Sequence, residues 1–427
     1  MPAYEAKEGE IPIDVSQLRP GVHIRLPNSW SDHSFLFNSF VIASEAQVKE
    51  IAALNLPQLF CDITKCKVPP FPKGRQPEPT ITPSDKEFLA AEIARHIAAK
   101  RVNLETMKGV REQLNKAGEN YNSAAKTVSG AIRNFDANPQ ECIQHITAIS
   151  EESTQNLLAD PSNAIVLIGD AAREDGSAAH SLSVMTLTLL VGKQARLPAK
   201  ILEALGTGAL LHDIGESSIN TSILRNTERN KHEQAIYEMH CRNGFESATR
   251  ADGLTKPILD AILYHHEHAD GSGFPDHLKG NAIPVTARVI ALTDRFDNLV
   301  NPLDFRKAIS PSEALSQMWT KERAHFDSVM LQLFVKAVGV YPPGSIVQLT
   351  DERIGAVVAS APAENPMSPQ VMIYDPDVPQ REALIVDLTL EPSVKIIRSL
   401  PLMGRSDEEL DYLIPRRKIS WFRKEAG

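Results

Sequence analysis

Residues 210–220 read LLHDIGESSIN, an apolar run that ends on adjacent His212 and Asp213 and passes into a polar stretch. Alone, such a pair says little. Its weight comes from the residues around it: His180 in DGSAAHSLSVM, His240 in YEMHCRNG, His265, His266 and Glu267 in LYHHEHADGSGFP, and Asp294 in ARVIALTDRFDNL. The chain has 13 histidines. Five occupy these positions, whereas His23, His33, His96, His145 and His325 have no comparable company. Seven nitrogen and oxygen ligands exceed what one ion uses, which points to a centre of more than one metal. Consecutive helical residues point about 100° apart. Adjacent pairs such as His212-Asp213 and His265-His266 are therefore expected to serve neighbouring ions rather than chelate one, in a dinuclear site bridged by a carboxylate. Imidazole and carboxylate without thiolate suit two divalent ions, iron first, with manganese, nickel or zinc as alternatives. Two such ions against two aspartates leave positive charge that attracts a phosphodiester, and a metal-bridging hydroxide would be its nucleophile.

The bulk composition fits this reading. The chain has 427 residues, 42% hydrophobic and 23% charged, enough for several cores in an ordinary globular protein. A net charge of −9 argues against broad nucleic-acid binding, which needs a basic surface. The N-terminus lacks the basic and apolar regions of a signal peptide. The most apolar stretch, roughly 178–192, is too short to span a membrane and carries His180 with several serines and threonines. Cys61, Cys66, Cys142 and Cys241 form neither a zinc pattern nor a disulfide framework. A cytoplasmic protein with no membrane or nucleic-acid partner is expected.

The pattern predicts a mainly α fold: a central all-helical metal-binding domain between a small mixed α/β N-terminal domain and a small β-rich C-terminal one. Residues 1–68 carry short alternating runs and one amphipathic stretch, ASEAQVKEIAALNL. Residues 69–84 are a proline-rich linker. A helical connector over 85–138 opens on SDKE, the spacing of a capping box. From Ser84 to about 128 it is a candidate homodimer element, although its apolar repeat is too irregular for a coiled coil. The domain over 139–340 reads as successive helices at 139–159, 161–172, 178–193, 198–212, 231–250, 254–267, 284–300, 311–320 and 326–339. Residues 341–427 are β-rich, in SIVQLTDERIGAVVASAP, QVMIYDP and EALIVDLTL. There is no internal repeat.

Six ordered motifs, His180-Ser181, HDIG at 212–215, Met239-His240, HHE at 265–267, DGSGFP at 270–275 and ARVIALTD, closely resemble the HD-GYP domain, a bacterial branch of the HD phosphohydrolases. The resemblance covers about 140–340. More weakly, the N-terminal region with LRPGVHIRL is similar to a small domain of unknown function that often precedes HD-GYP, and the tail with YPPGSIVQL to the β-rich extension of the same proteins. The resemblance implies hydrolysis of cyclic di-GMP to pGpG or GMP in second-messenger signalling. It implies His180, His212, Asp213, His240, His265, His266 and Asp294 as metal ligands, with Asp213 as the bridging carboxylate. Gly273, Phe274, Pro275, Arg306 and Lys307 fall on substrate-contacting positions. Glu267 reads as a partner that orients a ligand.

The substrate side departs from the family pattern. Glu216 stands where HD-x-G-K has a phosphate-contacting lysine, and a carboxylate there repels a phosphodiester. Phe274 replaces the name-giving tyrosine. Leu303-Asp304-Phe305-Arg306 stands for an R-P-Y-R/K element, so one guanidinium is lost. Gly176 occupies the position of the glutamate found in trinuclear members, which favours two ions. Intact ligands support a phosphodiesterase. The altered phosphate contacts support a catalytically weak module that senses cyclic di-GMP or binds signalling proteins through the Gly273–Pro275 loop. A phosphohydrolase for another nucleotide is the third reading.

Overall fold

The computed structural model describes residues 5–74 and 121–420 apart from 8, 29–31, 36–37, 160–165, 169–175, 362–363, 377, 379, 381–382 and 415–417, and within 75–120 only residues 94, 108, 109, 112 and 119. Two compact units emerge, Met1–Arg111 and Glu112–Gly427. The capping box at Ser84 and most of the candidate dimer element lie outside the described residues.

The first unit is a four-stranded antiparallel sheet, β1 (Glu10–Ile13), β2 (His23–Arg25), β3 (Ser39–Val41) and β4 (Leu59–Asp62), in the order β1-β4-β2-β3. Helix α1 (Glu45–Ala53) starts where Ser44 accepts from the Gln47 amide, and it buries Val48 and Ile51. These side chains meet Val22, Ile24, Leu26 and Leu59 in one core.

The second unit is predominantly helical. Its elements are α2 (residues 121–134), α3 (Pro139–Ala159), α4 (Gly176–Gln194), α5 (Ala199–Leu211), α6 (Thr221–Arg225), α7 (Lys231–Thr249), α8 (Lys256–Tyr264), α9 (Val285–Val300), α10 (Pro311–Thr320) and α11 (Ser328–Val338), with α12 (Asp407–Leu413) near the end. Helix α4 is apolar on every face because it runs through the middle: residues 181–192 are all buried, packed by α5, α9 and α11. Its hydroxyls are satisfied internally, Thr186 by the Leu182 carbonyl and Thr188 by Thr293 at 2.7 Å. That satisfaction lets a polar-containing helix be central, and among the described residues no helix is long and apolar enough to cross a membrane. Leu205, Leu210, Ile262, Ile290 and Phe296 fill the same core. Each fully buried side chain of this size contributes about 1.5–3 kcal/mol. Helix α7 starts at a capping box, with Asn230 accepting from the His232 and Glu233 amides while Glu233 accepts from Asn230 N.

A seven-stranded sheet completes the unit: β5 (Val166–Ile168), β6 (Ile346–Leu349), β7 (Ile354–Ala359), β8 (Gln370–Ile373), β9 (Ile385–Asp387), β10 (Ile396–Leu400) and β11 (Lys418–Ser420). The expected helix over 161–172 is therefore wrong at Val166–Ile168, which pair with β7 and β11. A short apolar run such as AIVLI carries no period that separates a buried strand from a helix, and here neighbouring strands supply its hydrogen-bond partners. The expected helix over 254–267 is shorter than predicted and ends at Tyr264. The shortening matters for the site.

Candidate metal centre

The sequence pairs His212-Asp213 and His265-His266 both fall where a helix stops. His212 caps the C-terminus of α5, and Asp213 opens a 3₁₀ turn over Ile214–Ser218. His265 caps the C-terminus of α8, and His266 lies in the following turn. At both places the cap residue keeps helical angles, and each pair still brings its ligand atoms into one cluster. Two groups result. Asp213, His240, His265 and His266 offer ligand atoms within 4.8 Å of one another, and so do His180, His212 and Asp213. The expectation that adjacent ligands would serve separate ions is corrected by this grouping, which holds His265 with His266 and His212 with Asp213.

Asp213 belongs to both groups, with its two oxygens divided between them. Oδ1 lies 3.7 Å from His240 Nε2 and 3.5 Å from His265 Nε2. Oδ2 lies 3.1 Å from His212 Nε2 and 3.7 Å from His180 Nε2. Asp294, on α9, adds its Oδ1 to the second group, 3.1 Å from His180 and 3.7 Å from His212.

The second ring nitrogen of four of the site histidines is fixed. Nδ1 donates to the Ala209 carbonyl from His212 at 2.7 Å, to the Tyr237 carbonyl from His240 at 2.6 Å and to the Ile262 carbonyl from His265 at 2.9 Å. In every case the acceptor is the carbonyl three residues earlier. His180 Nδ1 instead donates to Asp297 Oδ2 at 2.7 Å. These bonds leave Nε2 as the lone-pair nitrogen of the neutral ring, pointing inward, as metal-ligating histidines require.

The donor set fits a bound cation. His240 Nε2 and His265 Nε2 face each other at 3.2 Å. With both Nδ1 atoms donating to carbonyls, these are two opposed lone pairs, an arrangement that calls for a positive charge between them. His212 Nε2 is fully buried and makes no hydrogen bond of acceptable geometry. Buried nitrogens are rarely left in that condition.

Electrostatics separates the two sides. Burial works against charge on His212, but the Asp213 and Asp294 carboxylates outweigh it and hold its pKa at about 10; His180 is raised by Asp294 and Asp297 against the same burial. His240 is pushed down to about 4 by burial and by neighbouring His265, and His266 is lowered for the same reasons. Burial disfavours charge on Asp213, yet His212 and His265 keep it well below the usual carboxylate range.

The other predicted residues lie around this centre. Gly273, Phe274 and Pro275 form a loop on the His266 side. Phe274 N donates to the His266 carbonyl, and the Phe274 ring packs on His266 with centroids 4.7 Å apart. A Cβ on Gly273 would come within 2.3 Å of both His266 O and His268 N, so only glycine permits this approach. Glu267 is buried and does not touch a histidine ring. It accepts from the Asp276 and Leu278 amides at 2.7 and 2.9 Å, holding the segment that follows the loop. Arg306 is turned onto Asp304 in a two-point ion pair, and Lys307 donates to Thr227 at 2.9 Å. Two residues escaped the sequence reading. Asp297 is buried one helical turn after Asp294 and holds His180; the i, i+3 spacing in TDRFD was its signal. Tyr237, one turn before His240, brings its hydroxyl to 3.4 Å from His266 Nε2. No spacing rule pointed to it.

Comparison with known proteins places this arrangement. Residues 153–330 match the family described as HD domain, and residues 10–145 match a domain of unknown function, DUF3391. The chain is 26% identical over 367 residues, 85% of this chain and 84% of the relative, to the cyclic di-GMP phosphodiesterase PA4108 of Pseudomonas aeruginosa. It is 31% identical over 157 residues to the cyclic di-GMP phosphodiesterase response regulator RpfG of Xanthomonas campestris pv. campestris, covering 36% of this chain and 42% of the relative. It is 25% identical over 187 residues to the 3'3'-cGAMP-specific phosphodiesterase 2 of Vibrio cholerae, covering 43% of this chain and 35% of the relative. The chain thus spans most of the first relative and under half of the other two. The central helical domain is an HD domain that carries the ordered motifs of the HD-GYP branch.

Within that HD-GYP framework the metal half and the phosphate half differ. The seven histidines and aspartates converge. Glu216, at the family's lysine position, is raised to about 8 by burial and by Asp213. Gly215 of the HD-x-G motif is needed for packing: a Cβ there would lie 2.0 Å from His240 O and 2.5 Å from Gly244 N.

Proposed function

We propose that this chain is a metal-dependent phosphodiesterase that hydrolyses cyclic di-GMP to pGpG or GMP. One observation carries the reading: the two oxygens of Asp213 face two separate histidine groups, the arrangement of a carboxylate that bridges two ions. His180, His212 and Asp294 would hold one ion, and His240, His265 and His266 the other. Such ions supply Lewis acidity toward a phosphodiester and make water a competent nucleophile near neutral pH. The chain's residues do the rest. Backbone carbonyls and Asp297 lock the imidazoles, so no reorganisation is needed when substrate arrives. Phe274 walls the His266 side and presents a face on which a base can stack.

The test is turnover of cyclic di-GMP by protein purified without oxygen and loaded with Fe(II) or Mn(II), beside an Asp213→Ala control and metal analysis. The expected result is about two ions per chain and product formation that the control loses. No product above the control, with cyclic di-GMP binding retained, would sink the enzyme reading and leave a sensor that engages nucleotide or partner proteins through the Gly273–Pro275 loop. The engagement of Arg306 by Asp304 favours that second reading. Turnover of 3'3'-cGAMP in preference to cyclic di-GMP would shift the substrate within the same class.

A further inference from the structure

The family lysine is missing and Arg306 is paired with Asp304, which leaves Lys307 as the one cation of the expected positions not held by a carboxylate. We infer that Arg229 and Tyr237 form the phosphate-contacting element of this site, in place of that lysine. The inference rests on the phosphodiesterase reading above.

Three observations converge. First, Tyr237 lies on α7 one turn before His240, and its hydroxyl reaches 3.4 Å from His266 Nε2. The ring centroid stands 4.8 Å from His240 and 6.4 Å from Phe274, so the phenol borders the histidine group under the Gly273–Pro275 loop. A hydroxyl there can donate to a non-bridging oxygen of a phosphodiester held over His266.

Second, the Arg229 guanidinium carbon sits 3.8 Å from the Tyr237 ring centre. Its Nε and Nη2 donate to the Ile223 and Leu224 carbonyls at 2.9 Å, at the end of α6, where Ile223 O also accepts from the Asn226 amide. This fixes the planar fork in one orientation, with Nη1 outside both bonds. A guanidinium held on a ring face and two carbonyls is pre-ordered, so little freedom is lost when an anion binds.

Third, Lys307 reaches the same rim. Its Nζ bonds Thr227, two residues from Arg229. Arg229 and Lys307 thus place two cations at the loop over 226–230, which carries one carboxylate of its own, Glu228. The cation has moved from the HD-x-G turn, where Glu216 now stands, to the loop that leads into α7.

The experiment uses the full chain loaded with Mn(II), with inorganic phosphate and cyclic di-GMP as probes. Phosphate affinity is read by calorimetry, KM and kcat on cyclic di-GMP by product formation, and metal content by mass spectrometry. Arg229→Ala and Tyr237→Phe are expected to keep wild-type metal content while weakening phosphate about tenfold or more, the loss of one charge-assisted contact. For Arg229→Ala the change should appear in KM. Adding Glu216→Lys to Arg229→Ala should recover most of the lost phosphate affinity, which a purely structural arginine would not allow. If Arg229→Ala lowers metal content, Arg229→Gln decides instead, because its amide can still reach the α6 carbonyls without the charge. Wild-type phosphate affinity in Arg229→Gln and Tyr237→Phe would overturn the inference. Cyclic di-GMP turnover that Asp213→Ala abolishes but these variants leave intact would reject the inference and keep the phosphodiesterase. Weakened phosphate binding in a protein that turns over nothing would reject the phosphodiesterase and keep the anion site.

Discussion

Gly215→Ala isolates the contact that joins the two ligand groups. Gly215 sits in the 3₁₀ turn after Asp213, directly under α7. A methyl group there would lie 2.0 Å from His240 O, 2.5 Å from Gly244 N and 2.9 Å from Gly244 Cα. All three are backbone atoms, so no side chain can swing away. Carbon and oxygen do not normally approach closer than about 3.3 Å, so the turn and α7 must part by about 1.3 Å. Overpacking of this kind costs about 1–3 kcal/mol, and each kcal/mol lowers Tm by about 2–4 °C in a unit of this size. The larger consequence is local. His240 is fixed to α7 through Tyr237 O, and its Nε2 stands 3.7 Å from Asp213 Oδ1. Metal–nitrogen bonds tolerate about 0.2 Å, so a shift of this size removes His240 from the ion it would share with Asp213. Gly215→Ala should therefore fold with a lowered Tm and retain about one ion per chain instead of two. Gly130→Ala, with no atom within 4 Å of the added methyl, is the matched control. Mass-spectrometric metal analysis with a thermal melt reads both. Two ions per chain at wild-type affinity, with an unchanged melt, would refute the reasoning.

Three further outcomes follow from the site. Glu216→Lys restores a cation at the HD-x-G turn and should raise kcat/KM for cyclic di-GMP about tenfold; no gain would mean that this side chain does not face the phosphate. In the metal-free protein His212 and His180 hold protons above their ordinary range, and an ion binds only the neutral ring. Metal uptake should therefore release protons, with affinity that rises with pH through the neutral range toward about 10 and falls on acidification. Calorimetry in two buffers of different ionisation heat measures the release, and equal heats would contradict it. Glu267→Gln turns one of two acceptors for the Asp276 and Leu278 amides into a donor, at a cost of about 1–3 kcal/mol. Hydrogen exchange over 273–278 should quicken while metal content stays, and unchanged protection would show that Glu267 does not hold the loop.

Most of the helical framework was readable in advance because its cues are local. The capping box at Asn230, the apolar periodicity of α9 and the Pro311 start of α10 need only neighbours in the chain. Val166–Ile168 failed that reading because the partners that make it a strand lie nearly 200 and 250 residues further on, at Ala359 and Lys418. Tyr237 and Arg229 were invisible for a related reason. An aromatic one turn before a histidine has no meaning until the loop over 265–275 folds onto it.

The sequence by itself named seven candidate ligand residues, since histidine and aspartate are the side chains that bind such ions. It also exposed the lost lysine at Glu216. The tertiary structure alone decided how the seven divide. It packed α8 and the turn after α5 against α7, and α5 and α8 against α9, so that each adjacent pair meets other ligands in a shared cluster. It thereby set the two oxygens of Asp213 against different histidines. Which ligands meet depends on how closely the elements pack: here α7 is pressed against Gly215, the one residue of HDIGE that has no side chain.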